Sequence, residues 1–347
     1  ASHNKSDDNG IKLFSPAGIK LTDAEEEALE AAMASAFEGD FAPPPAISTP
    51  HHMKGATTLY LERCLETVGT DIDFSGLKIV LDCAHGAAYE VGPAALRQLG
   101  ADVTIIGDTP DGLNINAGVG STATGLLKST VTETGADIGI AFDGDADRVI
   151  VIDELGEEVD GDQVMALIAG ELHRAGRLKG GGMVATIMSN MGLAEYLKGL
   201  DLTLARTKVG DRYVGEHMRQ HGFNLGGEQS GHIILSDVST TGDGLLAALQ
   251  VLKTLASSDR PASSIMRVFE PAPQELVNIP FNGSNPLESS GVGDALTQAD
   301  ELLGERGRMV VRKSGTEPLI RVMAEALDEE LMHRALSLVV AAVQAEA

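Results

Sequence analysis

Ile138-Gly-Ile-Ala-Phe142, Asp143-Gly-Asp-Ala-Asp-Arg148 and Val149-Ile-Val-Ile-Asp153 form one continuous stretch, and its reading decides the fold. The two flanks are rich in β-branched residues and predict strands. Between them, Asp143, Asp145 and Asp147 alternate in a turn. Carboxylates this close would be driven towards protonation unless a positive group lay between them. A hard divalent cation with oxygen ligands meets that need. Asp143, Asp145 and Asp147 also fit the first positions of a calcium-binding helical hand, but Arg148 stands where that loop needs glycine, and the flanks are strands. A solvated acidic turn is the plainer alternative. The ends of strands in an open α/β sheet are where such proteins hold ligands.

Outward from this stretch the chain alternates strand and helix. Lys78–Cys83, Val103–Ile106 and Ile138–Phe142 read as strands, with helices over Gly92–Leu99 and Thr122–Thr134 between them. That is a parallel sheet built from crossover units. A similar unit follows, with strands Met183–Ile187, Leu202–Ala205, Phe223–Leu225 and Ile233–Leu235 and helices Asp160–Ala175, Gly192–Leu200, Asp211–His221 and Gly242–Leu255. Beyond Pro271 the strands Glu275–Ile279, Met309–Arg312 and Leu319–Ala324 lack regular helices between them, and a long final helix spans Asp328–Ala345. This predicts a separate α+β domain. Upstream, Thr22-Asp-Ala-Glu25 is a capping box that opens a helix to about Phe37, the proline-rich 41–50 reads as a linker, and a second helix covers Thr57–Val68. The fold class is therefore α/β, with αβα domains in series and a C-terminal α+β domain.

Composition narrows the function. The chain has 347 residues, 51 acidic against 26 basic, for a net charge of -25. That excludes a broad basic face for nucleic acid. A small anion remains open if a few cations are focused locally. No apolar run is long enough to span a bilayer. Cys64 and Cys83 lack zinc spacing; Cys83, in an apolar run, reads as a small buried hydrophobe, and a reducing cytoplasm fits.

Four other stretches carry chemistry. Ser2-His-Asn4 with Asp8-Asn-Gly-Ile-Lys12 offers a loop serine near a lysine that can move protons, or simply a loose terminus. Gly226-Gly-Glu-Gln-Ser-Gly-His232 lets Glu228 and Ser230 face sugar hydroxyls and His232 act as acid or base; an incidental hairpin is the alternative. Arg312-Lys-Ser-Gly-Thr-Glu-Pro-Leu-Ile-Arg321 places two guanidinium forks around a hydroxyl-rich turn, which suits phosphate better than a plain surface turn. Arg206-Thr-Lys-Val-Gly-Asp-Arg212 sits at a strand end before a helix, a natural place for an anion. The turn Asp111-Gly-Leu-Asn-Ile-Asn116 has no evident role, and His51-His52 reads as surface.

Taken in order, these stretches resemble the α-D-phosphohexomutase superfamily, most closely its bacterial phosphoglucosamine mutase branch. The Glu228-Gln-Ser230 loop and the turn Asp111 to Asn116 favour that branch over phosphomannomutase/phosphoglucomutase. The resemblance implies three αβα domains and a fourth, phosphate-binding one, divided here as 1–55, 56–154, 155–268 and 269–347. It implies an isomerase that interconverts glucosamine 6-phosphate and glucosamine 1-phosphate through a phosphoserine and a glucosamine 1,6-bisphosphate intermediate and activator. Ser2 would carry the phosphoryl group. One Mg²⁺ would bind Asp143, Asp145, Asp147 and a phosphate oxygen on Ser2. Arg148 would steady that phosphate, with Lys12 and His232 as acid/base groups. Lys208, Glu228, Ser230, Arg312, Ser314, Gly315, Thr316 and Arg321 would bind substrate. The partner would be a phosphosugar, with no nucleic acid or membrane, and a homodimer stays open because members are often dimers.

Two departures stand out. Lys5 follows Ser-His-Asn where the family has Pro, which would loosen the loop. Members also place about a hundred residues, a small domain's worth, before the serine. The chain, which opens on Ala1, is expected to lack that part of the first domain and to have little mutase activity by itself. A phosphomannomutase/phosphoglucomutase, a phosphosugar-binding remnant and a metal-dependent phosphatase with an aspartate nucleophile are the rival readings.

Overall fold

A computed structural model describes residues 4, 6–8, 12–38, 53–282, 285–314 and 318–347. Two helices come first, α1 (Asp23–Glu38) and α2 (Ala56–Val68). The capping box closes α1 as expected: Thr22 N–H donates to Glu25 Oε2 at 2.7 Å, and the Glu25 amide donates to Thr22 Oγ1 at 3.4 Å.

The next unit runs β1 (Lys78–Asp82), α3 (Val91–Gln98), β2 (Asp102–Ile106), α4 (Gly125–Thr134), β3 (Ile138–Phe142), β4 (Val149–Asp153) and β5 (Glu158–Val159). Its sheet has the order β2-β1-β3-β4-β5. β1 pairs parallel to β2 and β3, and β3 turns back into an antiparallel hairpin with β4. The acidic stretch is therefore a hairpin tip rather than a crossover. α4 starts three residues later than its expected Thr122.

The following unit repeats the plan: α5 (Gly161–Arg174), β6 (Gly182–Thr186), α6 (Met191–Lys198), β7 (Thr203–Thr207), α7 (Asp211–His221), β8 (Leu225–Gly227), β9 (Ile233–Leu235), α8 (Gly244–Ala256) and α9 (Ala262–Met266). Sheet order is β7-β6-β8-β9, again two parallel pairings and then an antiparallel hairpin. β8 lies two residues beyond the expected Phe223–Leu225. Its two glycines hid it: a Cβ at Gly226 would meet Met218 Sδ at 2.7 Å, and one at Gly227 would meet the His232 carbonyl at 2.4 Å. Close approach, not side-chain pattern, makes this strand.

One core joins both units, including Leu81, Phe142, Val149, Met165, Leu193 and Leu249. The last unit has β10 (Gln274–Pro280), α10 (Ser290–Leu303), β11 (Gly307–Lys313), β12 (Leu319–Ala326) and α11 (Glu329–Glu346), with an antiparallel sheet ordered β10-β12-β11. The sequence pattern does not predict α10, because Gly291 and Gly293 weaken its first turn. Ser289 caps it, accepting from the Gly291 amide at 3.2 Å, and Val292, Ala295, Ala299 and Leu303 bury one face. A second core lies here, with Val292, Ile320, Val322, Leu336 and Val339. Among the described residues no helix is long and apolar enough to cross a membrane.

Candidate active site

The two equivalent hairpin tips, after β3 and after β8, meet. Arg148 and His232 form an isolated antiparallel bridge, and the Val149 amide donates to the Gly231 carbonyl at 3.0 Å. Glycines permit the contact. A Cβ on Gly86 would lie 2.2 Å from the Gly144 carbonyl oxygen, one on Gly231 2.1 Å from that of Val149, and one on Gly244 2.4 Å from that of Arg148. The acidic loop is thus clasped on both sides by backbone.

Within the loop the Ala146 amide donates to the Asp143 carbonyl at 2.9 Å, and the Arg148 amide to Asp143 Oδ1 at 3.0 Å. Ala146 adopts φ 58°, a left-handed conformation unusual for alanine. Asp143, Asp145 and Asp147 each present an oxygen within 4.8 Å of the others. Oxygen-only donors at this spacing fit a hard cation, whose octahedral ligands stand about 3–4 Å apart. A positive group already marks the place: Lys12 Nζ lies 2.6 Å from Asp145 Oδ2 and 3.1 Å from Asp147 Oδ2. Arg148 Nε stands 3.8 Å from Asp143 Oδ2 and 4.0 Å from Asp147 Oδ1.

His232 sits on the far side, almost wholly buried. Its Nδ1 is 3.5 Å from Asp147 Oδ1 and its Nε2 3.2 Å from Asp211 Oδ2. Burial favours the neutral ring, but the two carboxylates outweigh it and hold the pKa up at about 9. The Gly242 amide, 3.2 Å from Nε2, would suit a neutral ring with a lone pair there. Two flanking anions outweigh one amide, so the ring is an imidazolium at neutral pH. Burial would raise Asp147, yet His232 and Lys12 hold it well below the usual carboxylate range. Asp211, at the start of α7, is also held low against burial, by His232 and by an ion pair with Lys20. For Lys12, burial works against the ammonium, and Asp145 and Asp147 more than offset it, leaving its pKa raised.

Glu228 joins two stretches: its Oε1 accepts from the Gly210 amide at 3.0 Å. Lys208 is exposed, with Nζ 6.0 Å from the Tyr213 ring centre, and Ser230 is exposed. Arg206 does not face an open anion site; the carboxylates of Glu325 and Asp162 support its charge against burial. It turns inward, donating to the Ser189 carbonyl at 2.6 Å and the Thr186 carbonyl at 3.3 Å. Arg308 of β11 donates to the Ile187 and Ser189 carbonyls at 2.6 and 2.5 Å, so it ties the last unit to the loop after β6 that Arg206 also holds.

The last unit holds its own cationic group. Arg312 and Arg321 are direct cross-strand partners on β11 and β12. Like charges in that position repel, and burial together with Arg321 lowers the Arg312 pKa. Ser314 is buried at the hairpin base, its amide donating to the Leu319 carbonyl at 2.8 Å. Such a pair is stable around a doubly charged oxyanion. Ser2, Gly315 and Thr316 lie outside the described residues, as do Lys5 and His51-His52. A cavity of about 850 Å³ between α2, α5 and α8 is lined by none of the candidate residues.

The sequence matches four domains described for phosphoglucomutase/phosphomannomutase: α/β/α domain I over residues 1–40, domain II over 58–156, domain III over 160–272 and the C-terminal domain over 276–342. A phosphoglucosamine mutase of Hyphomonas neptunium is 70% identical over 347 residues, covering 100% of this chain and 77% of that protein. The chain belongs to the phosphoglucomutase/phosphomannomutase family. Solved structures agree on the fold. A family protein from Burkholderia thailandensis superposes with TM-score 0.76 at 22% identity, covering 95% of this chain and 71% of its own. Aspergillus fumigatus N-acetylphosphoglucosamine mutase, solved with GlcNAc-6P and magnesium, gives 0.63 at 24%, covering 82% and 70%. In this family member the acidic loop, Lys12 and His232 come from three separate segments, and Asp211, Lys20 and Gly242 complete the group. Asp211 lies in the stretch Arg206 to Arg212, but nothing local marks it as a partner of His232, and Lys20 and Gly242 belong to no singled-out motif. Only folding brings them to the ring.

Proposed function

We propose that the chain is a phosphoglucosamine mutase, interconverting glucosamine 6-phosphate and glucosamine 1-phosphate through a glucosamine 1,6-bisphosphate that also serves as activator. The carrying observation is the meeting of the oxygen-rich hairpin tip with Lys12 and with the tip bearing Glu228. Its mutase relatives support the substrate. We divide it into domains 1–55, 56–154, 155–268 and 269–347.

In this reading Ser2 carries the phosphoryl group. The P–O bond to the serine oxygen breaks, one to a sugar hydroxyl forms, and the hydroxyl proton ends on the serine oxygen, carried by Lys12. Lys12 is suited to this because it stands half exposed on the open side of the loop. His232 has both ring nitrogens against carboxylates, which favours a part played through Asp147 over direct contact with substrate. Arg148 steadies the transferring phosphate. Lys208, Glu228 and Ser230 bind the sugar. Arg312, Ser314, Gly315, Thr316 and Arg321 hold the phosphate that is not in transfer, in either orientation of the sugar. Asp143, Asp145 and Asp147 would hold Mg²⁺, which when bound neutralises charge on the phosphoryl oxygens. The chemistry is mainly positioning and electrostatics.

The test compares formation of glucosamine 1-phosphate with turnover of mannose 6-phosphate, in the wild type and in Ser2→Ala. Preference for the glucosamine substrate, lost in Ser2→Ala, is the expected outcome. Equal or better turnover of mannose 6-phosphate would overturn the assignment.

A further inference from the structure

The turn between β2 and α4 contains none of the groups placed in the reaction, yet it is held by a dense set of hydrogen bonds. Asp111 Oδ1 accepts from the Leu113 and Asn114 amides at 2.8 and 2.9 Å. Asn114 Oδ1 accepts from the Asp111 amide at 3.0 Å, and its Nδ2 donates to the Thr109 carbonyl at 2.9 Å. The turn is then bolted to the sheet. The Asn116 amide donates to the Ala84 carbonyl at 2.9 Å. Buried Asp82 accepts from the Ala84 and Gly120 amides at 2.9 and 2.7 Å. The Ser121 amide donates to the carbonyl of Phe142, the residue before the acidic loop, at 2.8 Å. Ala84, His85 and Asn116 all have left-handed backbones, at φ 54°, 49° and 55°. Such strain persists only where the surroundings over-determine it.

What this scaffold presents is Asn116. It is nearly buried, and its Nδ2 donates to the Asn4 carbonyl at 3.0 Å, across 112 residues of sequence. Beside it, Ser6 Oγ donates to the Leu113 carbonyl at 3.3 Å. Asn4 is two residues from Ser2. We propose that Asn116 is a positioning residue that seats the serine-bearing loop, so that its approach to the acidic loop is set by the backbone of the second domain. The bond runs from a turn fixed to Phe142, at the foot of the acidic loop, to the loop whose serine is to react. This rests on the mutase reading of Ser2.

Two variants separate seating from folding. Asn116→Gly keeps a residue at ease with positive φ and removes the amide. Asn116→Asp keeps the shape and replaces the donor with an acceptor facing the Asn4 carbonyl. Both are expected to lower kcat by about tenfold or more, with KM within about twofold and the thermal midpoint little changed. Hydrogen exchange, read by mass spectrometry on the peptide containing Asn4, is expected to quicken in both variants while peptides from β1 and β3 stay as they are. That readout needs no turnover, so it stands even if the wild type proves not to be a mutase. Unchanged exchange would overturn the seat. Quickened exchange with wild-type kcat would overturn its positioning role, as would a kcat loss that merely follows the thermal midpoint.

Discussion

Gly242→Ala probes the charge on His232 without touching a charged group. The glycine lies flat on the ring: a Cβ there would fall 2.2 Å from Nε2 and 2.5 Å from both Cδ2 and Cε1. Its backbone is outside the left-handed region, so alanine meets no strain of its own. The ring is 2% exposed and has no open side to tip into. It must therefore move from between Asp147 and Asp211. The rise of the His232 pKa from 6.5 to about 9 measures what that place is worth, about 3 kcal/mol at 1.36 kcal/mol for each tenfold step. The same contacts hold Asp147 and Asp211 low, so their share is not added again. A histidine whose pKa is raised on folding lends stability that is full below 6.5 and gone once pH passes about 9. The depressed aspartates titrate far below this window and contribute no slope within it. Unfolding by urea without Mg²⁺, at pH 6.5 and at 9.5, separates charge from crowding. The loss caused by Gly242→Ala should be larger at pH 6.5 than at 9.5 by about 2–3 kcal/mol. The same loss at both pH values would refute the argument, since crowding alone has no such pH dependence.

Three more outcomes follow from the same geometry. Lys12→Met removes a cation from the acidic loop; Mg²⁺ should bind severalfold more tightly by calorimetry, since each half-exposed ion pair is worth only about 0.2–1 kcal/mol, while turnover collapses. Arg312→Met relieves a like-charge pair, so thermal stability should hold or rise slightly while KM for the sugar phosphate climbs about tenfold or more; a fall in stability with KM unchanged would remove the phosphate from this hairpin. Ala146→Gly should raise stability by up to about 1 kcal/mol, because glycine takes φ 58° without the penalty alanine meets, and a destabilised variant in urea melts would show that Ala146 is not strained.

How much of this was legible in the sequence depends on how far apart the interacting residues lie. The acidic loop was readable because its ligands are alternate neighbours and its flanks are β-branched. The likeness of the two sheet units was readable from alternating patterns. His232 and Asp147 lie 85 positions apart, and nothing local marks them as partners. Arg206 misled because its type and its place at a strand end fit an anion site equally well. Its true partners are carbonyls of the loop after β6, and carbonyls leave no trace in sequence. Gly242 reads as an ordinary turn glycine until the ring beneath it is seen. α10 was hidden by helix-weakening glycines, although the Val292, Ala295, Ala299 and Leu303 spacing was present.

The N-terminal segment has a larger part than carrying a serine. The ionised groups form a row of alternating sign, running Lys12, Asp147, His232, Asp211, Lys20. Both ends of the row come from the same short segment. α1 then holds that segment on α7: Asp23 and Glu26 pair with Arg212, and Tyr213 Oη donates to Asp23 Oδ2 at 2.9 Å. Each carboxylate in the row is flanked by two cations, which is why Asp147 and Asp211 stay ionised in spite of burial. If the segment were lifted away, Asp147 would lose Lys12 and Asp211 would lose Lys20, leaving His232 beside both and Arg148 beside Asp147, and the acidic loop would lose the ammonium that offsets Asp145 as well. The segment that would deliver the phosphoryl group thus also sets the charge of the loop that would receive it, so its docking and the electrostatics of the site are one equilibrium.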